Sequence, residues 1–442
     1  MRKPLESPQI FQERRKRLAE LIPGAALVMA SPQEQVRNGS VHFPFRQDSN
    51  LYYFTGFEEP ETILIFRANE TPQTVLFVRK KNPEMETWDG FRFGPEATES
   101  EFKIDKVYPI DELDKVAPEL LKGTETIYYR MFQNPAIDKK FEALMKQIQA
   151  LRYRAGHGYP QIKDTKPLMA QLRVRKTEAE VRNMREAGEI SAQAHFEVMK
   201  YTRPGMTERE VHGYFIYQAL KKGAAREGYN GIVAGGANAC TLHYVFNDQK
   251  LKAGDLLLID CGAEYNYYTG DITRTFPIGG KFTEEQAEVY EGVLKVQKQL
   301  IEHVKPGVTF QEFHDLGANL LTDLMFSLGL LAGRKEDVMK TLEHKKYYPH
   351  GIGHFLGMDV HDLGYYKDLN GEPIRIEENM VFTIEPGLYI PAYDQVAAPK
   401  YRGIGVRIED NIRVTAQGHE NLTVAAPKEI SDLEKIIGIG PS

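Results

Sequence analysis

Two apolar segments of the chain place acidic side chains where folding into hairpins would bring like charges together. The first predicted hairpin joins residues 256–263 to residues 268–276 through a turn at residues 264–267. This register would place Asp260 directly opposite Asp271. Directly opposed side chains in a sheet lie about 5 Å apart, and like charges at that distance destabilise the pair. A compensating cation is therefore expected beside these carboxylates.

A second predicted hairpin repeats this arrangement further along the chain. Residues 381–385 and 405–409 are predicted to pair around Ala397, which sets Glu385 opposite Glu409. A salt bridge to a nearby arginine is the alternative explanation for a single acid, but it does not account for two matching hairpins. Four such carboxylates favour bound divalent ions, with Mn²⁺, Co²⁺ and Zn²⁺ as candidates.

Three histidines, His350, His354 and His361, lie close together in a glycine-containing segment. The glycines oppose a helix, and an extended segment would place positions 350 and 354 on one face. Three histidines so close together favour a site in which one histidine binds metal and the others transfer protons. The spacing alone does not say which histidine has which role. His243 is ambiguous by itself, and a structural histidine is its default interpretation.

Four acids and one imidazole are enough for a two-metal site that catalyses hydrolysis. Both an amide and a phosphate ester are candidate substrates. Phosphate sites usually add Lys, Arg or a glycine-rich helix start. Apart from Arg274 and Arg407, which can pair with the acids, the sequence beside these residues shows none, so an amide is preferred.

Composition narrows the class of protein. The 442 residues include 56 basic and 62 acidic side chains, a balance that opposes a general role in binding nucleic acid or an anionic membrane. Only Cys240 and Cys261 are present, which fits a reducing compartment. The first 21 residues lack the apolar core of a signal peptide, and no apolar run has the length of a membrane span. A cytoplasmic protein is expected.

The chain length predicts two domains, residues 1–172 and 173–442. Strands and helices alternate in the first, which predicts an α/β domain. The second contains a weak internal repeat, because residues 203–210 resemble residues 305–312 and each offers a helix-capping Thr with a Glu three positions later. Pro-Gly-x-Thr alone is a common helix start. Its occurrence before both acidic hairpins predicts an α+β domain with a pseudo-twofold repeat.

Five segments of the second domain carry a specific pattern, and they are residues 259–262, 270–276, 350–354, 384–389 and 407–410. Together these segments resemble one family, the pita-bread metallopeptidases. Within that family, the resemblance is to the Xaa-Pro aminopeptidases, and residues 45–57 are similar to their creatinase/prolidase-type N-terminal domain.

The resemblance implies how the metal ligands are divided. Asp260 would bind one metal ion, and His354 and Glu385 would bind the other. Asp271 and Glu409 would bridge the two. Relatives usually hold two Mn²⁺ ions, and Zn²⁺ or Co²⁺ are the alternatives.

The resemblance also implies roles for the other side chains of the site. Glu385 would handle a proton, whereas His243 and His361 would bind substrate and stabilise the tetrahedral oxyanion. His350 would line the pocket on the proline side. Arg407 would orient the first metal ligand, with a supporting hydrogen bond from Tyr389.

The activity implied is removal of an N-terminal residue that precedes proline, from a peptide with proline at its second position. Prolidase, a dipeptidase with the same metal site, is the alternative. A non-catalytic binding protein on the same fold is a further alternative, which the complete ligand set opposes. Relatives imply a homo-oligomer, a dimer or tetramer. The single Trp88 is expected to be a core or interface anchor.

Overall fold

The computed structural model of the chain describes residues 4–440, which form nineteen strands and thirteen α-helices. They divide into two units, Met1–Leu172 and Arg173–Ser442, each with its own hydrophobic core. Among the helices of the described residues, none combines the length and apolar composition that crossing a membrane requires.

The amino-terminal unit is an α/β domain built on a mixed sheet. Its strands are β1 (Ala26–Ala30), β2 (Val36–Asn38), β3 (Val41–His42), β4 (Ile63–Arg67), β5 (Thr74–Val78), β6 (Lys106–Pro109), β7 (Thr126–Tyr128) and β8 (Gln161–Lys163). Its helices are α1 (Pro8–Leu21), α2 (Ser49–Thr55), α3 (Pro83–Asp89), α4 (Gly94–Phe102), α5 (Leu113–Leu121), α6 (Pro135–Arg152) and α7 (Thr165–Arg173), which ends at the first residue of the next unit.

Six of these strands form one sheet in the order β6-β5-β4-β1-β7-β8. β4 is antiparallel to both of its neighbours, whereas the outer pairs β5–β6, β1–β7 and β7–β8 are parallel. Trp88 does not join this core, because it lies on α3 with 82% of its surface exposed. The expectation that it anchors the core is wrong, and its role at an interface stays a prediction.

The second unit has the predicted α+β composition. Its helices are α8 (Glu178–Tyr201), α9 (Glu208–Lys221), α10 (Glu284–His303), α11 (Phe310–Ser327), α12 (Lys335–Thr341) and α13 (Ile430–Ile436). Its strands are β9 (Arg226–Glu227), β10 (Ile232–Gly235), β11 (Leu256–Cys261), β12 (Ala263–Tyr265), β13 (Tyr268–Thr269), β14 (Ile272–Pro277), β15 (Val381–Ile384), β16 (Gly387–Tyr389), β17 (Gly405–Arg407), β18 (Asp410–Thr415) and β19 (Gly418–Asn421).

A helix pair followed by antiparallel strands occurs twice in this unit, as the internal repeat predicts. α8 and α9 pack together and precede β10, β11 and β14, whereas α10 and α11 pack together and precede β15 to β18. α9 and α11 start with the expected capping boxes, in which Thr207 pairs with Glu210 and Thr309 with Glu312. These local hydrogen bonds fix where the second helix of each pair begins.

The first acidic hairpin forms in a register different from the predicted one. Asp260 pairs with Thr273, and the ladder reaches its turn at Asn266 and Tyr267, with φ values of 48° and 70°. Two left-handed residues make the tight turn that joins twisted antiparallel strands. The centre of the turn therefore lies one position later than expected. As a result, the residue opposite Asp260 is Thr273, two positions after Asp271. Direct pairing of Asp260 with Asp271 is wrong, and the two acids are diagonal neighbours on one face.

The second acidic hairpin has the predicted register. Ile384 pairs with Asp410, and Gly387 pairs with Arg407, so both flanking ladders align Glu385 with Glu409 between them.

The two hairpins join through the neighbouring strands β14 and β17. The backbone N–H of Glu409 donates to the carbonyl oxygen of Thr273 at 3.1 Å, and the hydroxyl of Thr275 donates to the carbonyl oxygen of Arg407 at 3.0 Å. This junction brings the acids of both hairpins to one place.

Close backbone approach at the first hairpin generates a stability prediction. A Cβ at Gly262 would lie 1.7 Å from the carbonyl oxygen of Gly270, a distance that no rotamer can relieve. We expect Gly262→Ala to lower the free energy of unfolding by about 1–3 kcal/mol, the usual cost of overpacking. Urea unfolding would measure it. Gly418→Ala is the matched control, since its added methyl meets no atom within 4 Å. Equal stability of the two variants would contradict the prediction.

Candidate metal centre

A cavity of about 430 Å³ in the carboxy-terminal unit is lined by nine of the side chains that the sequence proposed for the site, and Tyr389, proposed in a supporting role, is not on its wall. Strand ends from both hairpins and the histidine-containing loops contribute to it. The proposed residues on its wall are His243, Asp260, Asp271, His350, His354, His361, Glu385, Arg407 and Glu409.

Three of these side chains form the tightest group of potential metal ligands. Single ligand atoms of Asp271, His354 and Glu409 all lie within 4.8 Å of one another. His354 Nε2 is 3.4 Å from Asp271 Oδ2 and 3.7 Å from Glu385 Oε1, so Glu385 lies beside the same group. Carboxylates and an imidazole at this spacing are a donor set that suits a divalent transition metal.

Asp260 is held in place by two hydrogen bonds to its carboxylate. Arg407 donates from Nη2 to Oδ2 at 2.6 Å, and the Tyr229 hydroxyl lies 2.7 Å from Oδ1. The same hydroxyl lies 2.5 Å from Oδ1 of Asp271, so Tyr229 links the two diagonal acids. Sequence reasoning missed Tyr229, because nothing in its local sequence separates it from the other 22 of the chain's 23 tyrosines.

Thr273 is a second residue that sequence reasoning missed. Its hydroxyl donates to Glu409 Oε2 at 2.6 Å and accepts a hydrogen bond from Arg407 Nε at 3.1 Å. Thr273 lies opposite Asp260 in the ladder, so the correct hairpin register would have revealed it. One hydroxyl thus orients a carboxylate of the second hairpin from a strand of the first.

Burial makes the negative charge of the site costly. Burial raises the pKa of Asp260, and it raises the pKa of Glu409 well above the ordinary glutamate value. It also raises the pKa of Glu385 to about 7. Arg407 partly offsets the effect on all three. Because the buried acids outnumber the neighbouring cations, a bound metal ion would supply the missing positive charge, and the residues present fit one.

The excess of buried acids also changes the protonation of His354. Burial favours its neutral form, but the hydrogen bond to Asp271 and the charges of Asp271 and Glu385 outweigh burial and raise its pKa to about 9. A metal ion bound by the same carboxylates would compete with this proton.

His350 has the opposite preference. Burial, together with the charge of Arg407, lowers its pKa to about 3, so its ring is neutral. The carbonyl oxygen of Gly351 lies 2.7 Å from Nδ1 and can only accept, which places the ring proton on Nδ1. Nε2 therefore accepts from the Tyr389 hydroxyl at 2.8 Å, and that hydroxyl in turn accepts from Arg407 Nη1 at 3.1 Å.

His243 and His361 are more exposed than the proposed ligands and line the same cavity. The His361 ring packs edge-on against His354, with ring centroids 4.3 Å apart. Burial and the nearby His354 lower the pKa of His361, which leaves a neutral ring with an N–H to donate. His243 is not a buried structural histidine, which was its default interpretation, because it is exposed and lies on the cavity wall.

Comparison with known proteins assigns the chain to a family. The model of metallopeptidase family M24 matches residues 182–416, more than half of the chain. The chain belongs to metallopeptidase family M24. A second model, the aminopeptidase P N-terminal domain, matches residues 11–128 of this M24 chain.

Individual relatives match over almost the whole length. The Xaa-Pro aminopeptidase of Haemophilus influenzae is 39% identical over 429 residues, covering 97% of this chain and 96% of the relative. The structure of Pseudomonas aeruginosa aminopeptidase PepP superposes with a TM-score of 0.94 at 37% identity, covering 99% of this chain and 98% of that one. Zinc-substituted Escherichia coli aminopeptidase P in complex with product gives a TM-score of 0.92 at 35% identity, covering 98% of each chain. The predicted family and fold class, an α/β domain followed by a pita-bread domain, are confirmed.

The raised pKa of Glu385 generates a prediction for the metal-free protein. Because the folded-state pKa is about 7, against an ordinary value of 4.5, the folded state favours the protonated form. The resulting stabilisation is present below about pH 4.5 and is lost as the pH rises through about 7. Metal-free Glu385→Gln cannot ionise there, so above pH 7 it should be more stable than the parent by on the order of 1–3 kcal/mol.

Urea unfolding of chelator-treated protein across this pH range measures the difference. Glu378→Gln, which alters an exposed acid of the same unit, is the matched control and should follow the parent. A constant difference between Glu385→Gln and the parent at every pH would contradict the prediction.

Proposed function

We propose that the chain is a metal-dependent Xaa-Pro aminopeptidase, which hydrolyses the bond between an N-terminal residue and a following proline. The observation that carries the proposal is the convergence of four acids and His354 on one cavity of an M24 domain. The relative at 39% identity, an Xaa-Pro aminopeptidase, aligns over both units of the chain and gives the substrate class.

The cavity would hold two divalent metal ions, with Mn²⁺ proposed and Zn²⁺ or Co²⁺ as alternatives. Asp260 would bind one ion, and His354 and Glu385 the other, with Asp271 and Glu409 contributing to both. The tight grouping of Asp271, His354 and Glu409 supports this division. Metal ions in such a site polarise a carbonyl group and lower the pKa of water.

Glu385 is proposed to accept and return the proton during hydrolysis. Its Oε1 lies 3.7 Å from Nε2 of the proposed ligand His354, which sets this carboxylate beside the group where the metal ions would bind, and a carboxylate within reach of the reacting group can transfer a proton. Its Oε2 is 3.8 Å from Nδ1 of His350 at the cavity wall.

His361 and His243 are proposed to bind the substrate and stabilise the oxyanion that develops on its carbonyl oxygen. A neutral imidazole N–H can donate to that oxygen, and fixed donors at such a position favour the transition state. The packing of His361 against the proposed ligand His354 supports this role.

Arg407 is proposed to hold the acidic wall in one arrangement. Its guanidinium donates hydrogen bonds to Asp260, Thr273 and Tyr389. Because only 4% of the Arg407 side chain is exposed, these three hydrogen bonds are protected from water. The neutral His350, held through Tyr389, would line the pocket on the proline side.

Residues 1–172 are proposed to form the N-terminal domain and residues 173–442 the catalytic domain. The two compact units and the separate family matches to residues 11–128 and 182–416 support this division. A homo-oligomer, a cytoplasmic location and the absence of nucleic-acid or membrane partners stay predictions from the sequence.

A peptide assay tests the proposed function. With added Mn²⁺, Co²⁺ or Zn²⁺, the protein should release the first residue of an Xaa-Pro-Xaa tripeptide and leave Xaa-Ala-Xaa uncleaved. Asp271→Ala and Glu409→Ala should fold and lose this activity, because each removes a ligand proposed to serve both ions. Cleavage of Xaa-Pro dipeptides alone would instead identify a prolidase. Absence of both cleavage and stoichiometric metal would identify a binding protein, and near-normal turnover of either variant would contradict the ligand assignment.

The proposed oxyanion contact gives a kinetic prediction for His361. We expect His361→Ala to lower kcat by about 10²–10³-fold, the usual effect of removing one such donor, and to raise KM much less. Steady-state kinetics on the tripeptide would measure both constants. His303→Ala, which changes an exposed histidine at the end of α10, is the control and should match the parent. An effect confined to KM would make His361 a substrate-binding residue only.

A further inference from the structure

The residue that follows His361 lies at the centre of a buried ion-pair cluster. Asp362 receives a hydrogen bond from Arg173 Nη2 on Oδ1 and one from Lys176 Nζ on Oδ2, the second at 3.2 Å. The side chains of all three residues are only 1% exposed. Arg173 Nη2 also donates to Oδ2 of Asp359 at 2.8 Å, so two acids of one loop are tied to the first residues of the second unit.

The backbone of the same loop closes next to the metal centre. The N–H of Asp362 donates to the carbonyl oxygen of Phe355 at 2.8 Å, and Phe355 directly follows His354. Gly357 leaves room for the carboxylate, since a Cβ there would lie 2.0 Å from Asp362 Oδ2. The loop from the proposed ligand His354 to His361 is therefore fixed at its far end by Asp362.

Burying three charges is costly, and the cost is offset only where the charges pair and hydrogen-bond in a well-defined geometry. The segment that carries Arg173 and Lys176 is anchored independently of the loop. The backbone N–H of Lys176 donates to the carbonyl oxygen of Asn379, and Arg175, between the two cations, forms an antiparallel backbone β-bridge with Met380 beside β15. Two buried cations on this segment therefore meet the loop one residue from His361, whose own side chain lines the cavity.

We propose that Asp362, held by Arg173 and Lys176, is a positioning residue that fixes His361 beside the metal centre. The inference rests on the proposed function and deepens it. It states that a buried ion-pair cluster outside the cavity wall holds His361 in the position needed for its proposed contact with the oxyanion. Small displacements of a catalytic group reduce turnover strongly, by about 10²-fold for a shift of 1 Å.

Two variants remove the ion pairs while keeping side-chain shape. Asp362→Asn and Lys176→Met should each lower kcat on an Xaa-Pro-Xaa tripeptide by about 10- to 100-fold, with KM and the bound-metal content near those of the parent. Glu377→Gln is the matched control, because it breaks the exposed ion pair with Arg175 in the same segment and should leave kcat unchanged.

A double-mutant cycle with His361→Ala separates positioning from a general structural role. If Asp362 acts through His361, Asp362→Asn should change kcat less than about 2-fold in the His361→Ala background, because coupled residues are non-additive. Losses that multiply in the double variant would overturn the inference, as would unchanged kcat in both single variants.

Folding of each variant is checked by thermal unfolding and by metal content. If neither buried variant folds, Asp359→Asn, whose side chain is 41% exposed, takes their place in the same cycle with the same outcomes. A parent protein that cleaves no Xaa-Pro peptide would refute the proposed function itself, which is a different result from additive losses in an active parent.

Discussion

Mutual repulsion among buried carboxylates is the constraint on which the catalytic unit depends. Four acids face one cavity, and burial raises the pKa of three of them. Such a group is stable only with compensating positive charge and with hydrogen bonds that hold each oxygen. Arg407 supplies part of this charge from the protein, and the donor set fits metal ions that would supply the rest.

The hydrogen bonds that hold the acids cross between the two hairpins. Thr273 on the first hairpin contacts Glu409 and Arg407 on the second, and Arg407 returns to Asp260 on the first. Tyr229, from the loop before β10, links the two acids of the first hairpin. Each half of the repeat therefore completes the other half's ligand set, and neither hairpin alone could form the site.

Local sequence signals predicted the local features well. The capping boxes at Thr207 and Thr309 begin α9 and α11 as expected, because they involve residues only three positions apart. The second acidic register was also correct, whereas the first was displaced by the left-handed turn at Asn266 and Tyr267. Neither central residue of this turn is a glycine, the residue that most clearly marks left-handed positions, so the local sequence does not fix where the turn is centred.

The proposed ligands and histidines were found from residue type, spacing and family resemblance, since their chemistry is visible in the side chain itself. Tyr229, Thr273 and the Arg173–Lys176–Asp362 cluster were not, because their roles arise from contacts between residues as far as 189 positions apart. The sequence by itself determined the two-unit organisation of elements, the acids that need a cation, and the family. Only the tertiary structure decided which hydroxyls and buried ion pairs hold those acids and His361, because such contacts depend on strand register and loop closure, which carry no signature along the chain.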